Sequence, residues 1–471
     1  MDFKKWISYF LLLGLLQFSA CSKKREQSER APIDQLVAYT QDRNNFSYQL
    51  KDSLAIEGAT LYRIKMNSGK WLSETEVNEP LWWHWVDLIV PDTIDTHTAL
   101  LFIGPGSRGD NRNYLDSLSI QKAIETRSIV SHVSNIPFQP LQFSDSDSII
   151  RYEDNIIAYG WNRFLTQGAQ EADSKWLARF PMTRAVIRAM DVIQEFTQSE
   201  PHAVADFFIS GASKRGWTTW TTAAVDSRVI GMAPLVIDLL NIEPSFDHHY
   251  RLYGDWSPAV QDYVDFNIMD WMHTPSFKKL LRYVEPYEFK ERFTMPKLIV
   301  NGTIDEFFAT DSWKFYWDDL PGDNYLQYVP NGNHGLLGSY QTPNVFAFFE
   351  RLIHKKPIPS MKWEIKEDVF YLSTDPTIRY QINLWTCKNP KTRDFRIWEV
   401  GKSWKKEELT LEPTGRYQIQ APQGEEGYTA TLVEVVFYPE SSNPFILTTG
   451  TVVLPEEYSY EQYRPIKKND N

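Results

Sequence analysis

From about residue 36 to 360 the chain alternates short apolar runs, each closed by small or acidic residues, with longer segments whose apolar positions recur at helical spacing. Few folds accept that alternation. Strands buried on both faces read as continuous apolar runs, and joining such strands in parallel requires a crossover segment between each pair. The runs "TALLFIGPGS" (98–107), "AVADFFIS" (203–210), "GMAPLVID" (231–238), "MPKLIVNGTID" (295–305) and "YLQYVPNGNHG" (325–335) fit such strands, while "SIQKAIETR", "RYEDNIIAYGWNRFL" and "MTRAVIRAMDVIQEFTQ" fit the helices. Ahead of them, "ATLYRIKMNSG" and "LWWHWVDLIVP" alternate apolar and polar residues and predict an antiparallel extension. The expected architecture is therefore α/β, a mostly parallel sheet flanked by helices over 36–358. An insertion at about 239–294, rich in Tyr, Trp, Asp and His, is expected to form a lid or cap.

Beyond "HKKPIPSMK" the pattern changes to six or seven short alternating runs separated by turn signals, which predicts a small β-sandwich over 359–471.

The stretch "FFISGASKRGWTTW" (207–220) carries the chemistry. A serine hydroxyl is a weak nucleophile until a base takes its proton. A tight strand-to-helix turn exposes the hydroxyl, and the following helix N-terminus offers N–H groups to an oxyanion. Ser213 occupies that position, between a strand at 205–210 and a helix from about Arg215 to Asp226. The usual pattern is G-x-S-x-G, but Gly216 stands one residue late. A Gly/Ser turn alone would be unspecific. Partners follow, however, in the chain order nucleophile, acid, histidine that marks α/β-hydrolase-like proteins. Asp305 lies in the loop after "KLIVNG" and His334 in the loop after the next strand, with room between them for one helix and one strand. Asp238, ending "PLVID", is the alternative acid, and Glu306 is expected to point elsewhere. The oxyanion hole needs two donors. The Lys214 backbone N–H supplies one. Pro105 has none to give, so Gly106 or Ser107 supplies the second. The Lys214 side chain either folds inward to assist or lies in solvent.

His84 belongs to a sheet strand. The "DHH" at 247–249 has no third partner at a metal-ligand spacing, so neither metal nor cofactor is expected. The formal charge of −12, without any basic stripe, excludes a nucleic-acid partner. The first residues, "MDFKKWISYFLLLGLLQFSAC", have a basic start, an apolar stretch and small residues before Cys21. They resemble a bacterial lipoprotein signal (1–21), with Cys21 as the acylated residue and a polar tether over 22–35. Acylation would anchor the protein in the cell envelope by a membrane-inserted lipid and leave Cys387 without a partner for a disulfide.

"SGASKRGWTTW", "PLVIDLLN", "MPKLIVNGTIDEFF" and "VPNGNHG", with "LWWHWVDLIVP" and "ALLFIGPGS", resemble the PhoPQ-activated pathogenicity-related protein family. The resemblance implies an α/β-hydrolase-like fold and a triad of Ser213, Asp305 and His334. It names no reaction. The "GPG" loop departs from an expected double glycine. The cation after the serine is also similar to the motif of bacterial glucuronoyl esterases. The function expected is an exported serine hydrolase acting on a small-molecule, carbohydrate or peptide ester. A peptidase, or a non-catalytic binding protein of the cell envelope on the same scaffold, is the alternative.

Overall fold

The computed structural model describes residues 31–111, 115–144, 148–199, 203–336, 341–424 and 426–466. The signal-like segment with Cys21 and residues 22–30 of the expected tether lie outside them, whereas residues 32–35, expected as tether, open a helix at Pro32. A nine-stranded sheet runs in the order β1-β2-β3-β5-β4-β6-β7-β8-β9. β1 (Ser47–Ile56), β2 (Ala59–Lys70) and β3 (Leu81–Pro91) form the antiparallel extension. β4 (Thr98–Ile103), β5 (Val130–Val133), β6 (Asp206–Ala212), β7 (Val229–Leu235), β8 (Lys297–Gly302) and β9 (Asn324–Val329) are parallel. The α/β architecture read from the sequence is the architecture found. The order reverses between β4 and β5, so the loop after β4 opens beside the loop after β6.

Helices α1 (Pro32–Gln41), α2 (Ser117–Thr126), α3 (Glu153–Thr166), α4 (Arg179–Thr197), α5 (Lys214–Val225), α6 (Ile242–Tyr253), α7 (Gln261–Asp265), α8 (Pro275–Val284) and α9 (Gln341–Ile353) complete this part. Each central strand feeds two cores, because successive side chains leave opposite faces of a sheet. Phe207 and Ile209 of β6 join a core with Val186 and Met190 of α4 and Trp220 of α5. Phe208 points the other way, into a core with Phe346 and Phe349 of α9. The 239–294 insertion folds as α6, α7 and α8 joined by short 3₁₀ turns. Between Asp305 and His334 the expected α-helix is replaced by two 3₁₀ turns, Ser312–Phe315 and Trp317–Asp319, ahead of β9. The Trp313 and Trp317 rings of these turns pack on Trp363 of the C-terminal region, at centroid distances of 5.0 and 5.4 Å. No helix among the described residues is long and apolar enough to cross a membrane.

The C-terminal region contains β10 (Met361–Lys366), β11 (Val369–Thr374), β12 (Tyr380–Asn389), β13 (Lys405–Glu408), β14 (Arg416–Gln420), β15 (Tyr428–Phe437), β16 (Phe445–Thr448) and β17 (Val452–Leu454). They form two antiparallel sheets, β10-β11-β14 and β13-β12-β15-β16, with β17 also paired to β15. Phe370 and Leu372 of one sheet share a core with Val433 and Val435 of the other. This region closes the β9 edge of the large sheet, whose backbone groups would otherwise be open to another chain. The Tyr328 N–H donates to Thr448 Oγ1 at 2.8 Å, and the Asn344 amide donates to the Ile446 carbonyl at 2.9 Å. Farther along, the tail reaches the cap: His248 of α6 and Tyr458 share a hydrogen bond of 2.9 Å.

Phe208 is fully buried and meets Phe348 and Phe349 at ring-centroid distances of 5.8 and 5.6 Å. Phe208→Ala should lower unfolding free energy by about 3–5 kcal/mol. Urea denaturation followed by fluorescence measures it.

Candidate active site

At the end of β6 the backbone takes a conformation that side chains disfavour. Ser213 has φ 58° and ψ −127°, a strain of about 1–3 kcal/mol for a residue with a Cβ. Its N–H donates to the Leu235 carbonyl of β7 at 2.8 Å, and its carbonyl accepts from Trp217 N at 2.9 Å. The glycines explain how the turn fits. A Cβ on Gly211 would lie 2.7 Å from the Arg215 carbonyl. A Cβ on Gly216 would lie 2.8 Å from the Leu235 carbonyl and 2.9 Å from that of Gly211. Position 216 is thus where α5 touches the two strands, which is why the second glycine comes one residue late. Arg215, at the place the usual pattern gives to glycine, sends its side chain to the Ile136 carbonyl (2.6 Å) and to Glu153.

His334 lies in the loop after β9. Its Nδ1 is 3.0 and 2.9 Å from the two carboxylate oxygens of Asp305. That carboxylate is fixed in turn by the Phe307 N–H, 2.7 Å from Oδ1. An acceptor on Nδ1 holds the proton there and leaves Nε2 as the basic nitrogen. Nε2 is buried and has no hydrogen-bond partner among the described residues. Phe307 and Phe308 connect this histidine to the serine. Their rings pack on the imidazole at 4.0 and 5.8 Å, and both residues line the cavity into which Ser213 opens.

The rival acids are engaged otherwise. Asp238 is buried and accepts from Tyr316 Oη at 2.6 Å and from Tyr328 Oη. Burial outweighs both hydrogen bonds and pushes its carboxyl up to about 7. Glu306 does not point away as expected. It accepts from the His334 N–H at 2.7 Å and from the Asn333 amide at 3.3 Å, so it fixes the histidine loop through its backbone.

For the oxyanion, Lys214 N is the first residue of α5 and has no acceptor within the helix. The loop after β4 leaves the sheet alongside, because Ile103 pairs with Gly211. Gly106 has φ 135°, a backbone that favours glycine, and its carbonyl accepts from the Gln139 amide at 2.7 Å. The N–H groups of Gly106 and Ser107 have no partner among the described residues.

The Lys214 side chain folds inward, and the solvent-exposed alternative is corrected. It is neither in solvent nor free to turn, since Nζ is 3.0 Å from Glu153 and 2.8 Å from Asp154. Burial opposes ionisation of Glu153, but Arg215 and Lys214 beside it hold the carboxyl down to about 2. Arg179 of α4 donates to the Lys214 carbonyl at 2.7 Å and to Thr218 Oγ1 at 2.9 Å. Sequence reading missed Glu153, Asp154 and Arg179. The signal available was that two successive cations in a buried turn require carboxylates, and "ED" opens α3.

In the "DHH" segment, His248 Nε2 is 2.7 Å from Asp311 and His249 Nε2 accepts from the Ser257 N–H at 3.0 Å. Asp247 faces His273 and Gln462. Among the described residues no group of three or more His, Cys, Asp or Glu is placed to hold a metal ion. His84 is a buried strand residue bonded to Ser68 and the Ser134 carbonyl.

The profile of the PhoPQ-activated pathogenicity-related protein family matches residues 36–396. The chain belongs to this family. A Dictyostelium discoideum protein named autocrine proliferation repressor protein A is 33% identical over 434 residues, covering 86% of each chain. Similar solved structures include acetyl xylan esterase 1 from a Thermoanaerobacterium species, with TM-score 0.48 and 15% identity over 68% of this chain and 93% of that one. A glucuronoyl esterase from Solibacter usitatus has TM-score 0.39 and 12% identity over 68% and 91%.

Two outcomes follow from this geometry. Gly216→Ala should cost about 1–3 kcal/mol by overpacking against backbone carbonyls, read by urea unfolding. Asp238 gives a pH dependence of known sign. Its folded value is raised above the unfolded one, so the folded state holds a proton that the unfolded state has released. Its contribution to stability therefore falls as pH rises from about 4 to about 7. Asp238→Asn should remove that decline, so unfolding series at pH 4.5 and 8 should show the variant gaining on the parent at the higher pH.

Proposed function

We propose that this protein is a serine hydrolase acting on esters through an acyl-enzyme. The observation that carries the reading is His334: Nδ1 is engaged by both oxygens of Asp305, while Nε2 is buried and not yet hydrogen-bonded to Ser213, and Phe307 and Phe308 pack on its ring and line the cavity that Ser213 also lines. In the first step the Ser213 oxygen bonds to the acyl carbon and its proton passes to His334 Nε2. Lys214 N–H and that of Gly106 or Ser107 receive the developing oxyanion. Collapse breaks the bond to the leaving alcohol, which takes the proton from Nε2. Water then attacks the acyl carbon, giving its proton to Nε2. The acid leaves and the serine recovers its proton. Asp305 stabilises the imidazolium throughout. Esters are preferred over amides as the simpler substrate class for this fold, with carbohydrate esters included and peptides as the alternative.

The proposal extends to location. Acylation at Cys21 would hold the enzyme on the cell envelope, facing ester substrates outside the cytoplasm. The name of the Dictyostelium relative favours one second reading, a regulatory or binding protein on this scaffold without turnover.

Labelling of the protein lacking residues 1–21 with a fluorophosphonate distinguishes the two. The hydrolase reading expects labelling that Ser213→Ala abolishes, and ester kcat/KM values about 10³–10⁴-fold lower in His334→Ala and Asp305→Asn. Absence of labelling in folded protein would favour the binding reading.

A further inference from the structure

The cavity beside Ser213 has a volume of about 40 Å³ and is walled by apolar side chains, among them Trp161, Trp217, Ile237 and Phe307. One corner is charged, formed by Arg179, Lys214 and Asp154. The charges at that corner do not cancel. Lys214 is shared between Glu153 and Asp154, and Arg215 binds Glu153. Arg179 is 2% exposed and forms no ion pair with any described carboxylate. Three cations thus share two carboxylates.

The Arg179 guanidinium is also incompletely bonded. Both of its hydrogen bonds leave from Nη1, while Nε is buried with no partner. Its compensation is the face of Trp217, 5.0 Å away, and the charge of Asp154, which lies beyond ion-pair distance and is already shared with Lys214. Burial lowers its pKa to about 10, which leaves it protonated at neutral pH. A buried cation without a direct ion pair is costly, and a planar anion in front of the fork would relieve the cost. The free space of about 40 Å³ admits one or two waters as it stands, so a carboxylate on a short methylene arm enters it with some opening of the apolar walls.

We propose that this cavity is the substrate's recognition pocket and that Arg179 binds a carboxylate carried by the substrate, so that half-esters of short dicarboxylic acids are preferred. This rests on the serine-hydrolase reading. The apolar walls take the methylenes, Arg179 takes the distal carboxylate, and the scissile carbonyl is left at Ser213.

The test compares monoethyl succinate with ethyl valerate, a neutral ester of similar length, by titrating the acid released. Fluorophosphonate labelling runs in parallel. The expected result is a kcat/KM ratio of at least about tenfold in favour of the succinate half-ester. Arg179→Met should bring that ratio to parity or below, and Arg179→Lys should restore part of it. Because Arg179 also braces the first turn of α5, a purely structural role would lower both esters together and leave the ratio unchanged, which would overturn the proposal. Labelled wild-type protein that cleaves the two esters equally, or neither, also overturns it while leaving the activated serine intact. No labelling and no hydrolysis would remove the hydrolase reading and this proposal with it. Should Arg179→Met fail to fold, the wild-type ratio and Arg179→Lys decide the question.

Discussion

The left-handed backbone of Ser213 is the constraint on which the remaining parts depend. A residue with a Cβ holds φ 58° only where its surroundings over-determine the turn. Here the β7 carbonyl of Leu235 takes the Ser213 N–H, and the absence of side chains at 211 and 216 lets α5 settle against two strands. The same turn raises the hydroxyl above the sheet and sets the first N–H of α5 beside it. Loss of either close approach would move the hydroxyl and the Lys214 N–H together.

Electrostatics ties this turn to the rest of the molecule. Lys214 and Arg215 follow the serine and are buried, so each needs an anion, and Glu153 and Asp154 at the start of α3 supply them. The bridge fastens α3 to the elbow across the sheet loops. It also explains why the cap, through Tyr263, is drawn to the same corner: its hydroxyl donates to Asp154 at 3.1 Å. On the far side of the cavity, Asp305, Glu306 and Phe307 act as one unit on His334. The first binds its ring, the second its backbone, and the third covers its face.

Much of this was legible in the sequence, and the reasons are local. Short apolar runs such as "DFFISGA", bounded by small residues and alternating with helical segments, fit central strands, so the α/β order followed from the pattern. Ser213, Asp305 and His334 each stand in a loop directly after such a strand, and parallel strands bring those loops to one edge. What was not legible depends on contacts distant in sequence. The two 3₁₀ turns that stand before β9 in place of a helix carry Trp313 and Trp317, whose partner Trp363 lies in β10, outside the large sheet. The fate of the Lys214 side chain was set by α3, and that of Asp238 by two tyrosines 78 and 90 residues on. A spacing rule cannot see either.

Hydrolysis as proposed requires Ser213, the α5 N-terminus and His334 to act on one substrate atom group. A crystal structure of the protein inactivated by a small phosphonate tests this most directly. The account predicts phosphorus bonded to Ser213 Oγ, with the phosphoryl oxygen about 3 Å from Lys214 N and from the N–H of Gly106 or Ser107, and His334 Nε2 facing the leaving-group position. A phosphonyl oxygen turned away from both N–H groups, or phosphorus on another residue, would contradict it.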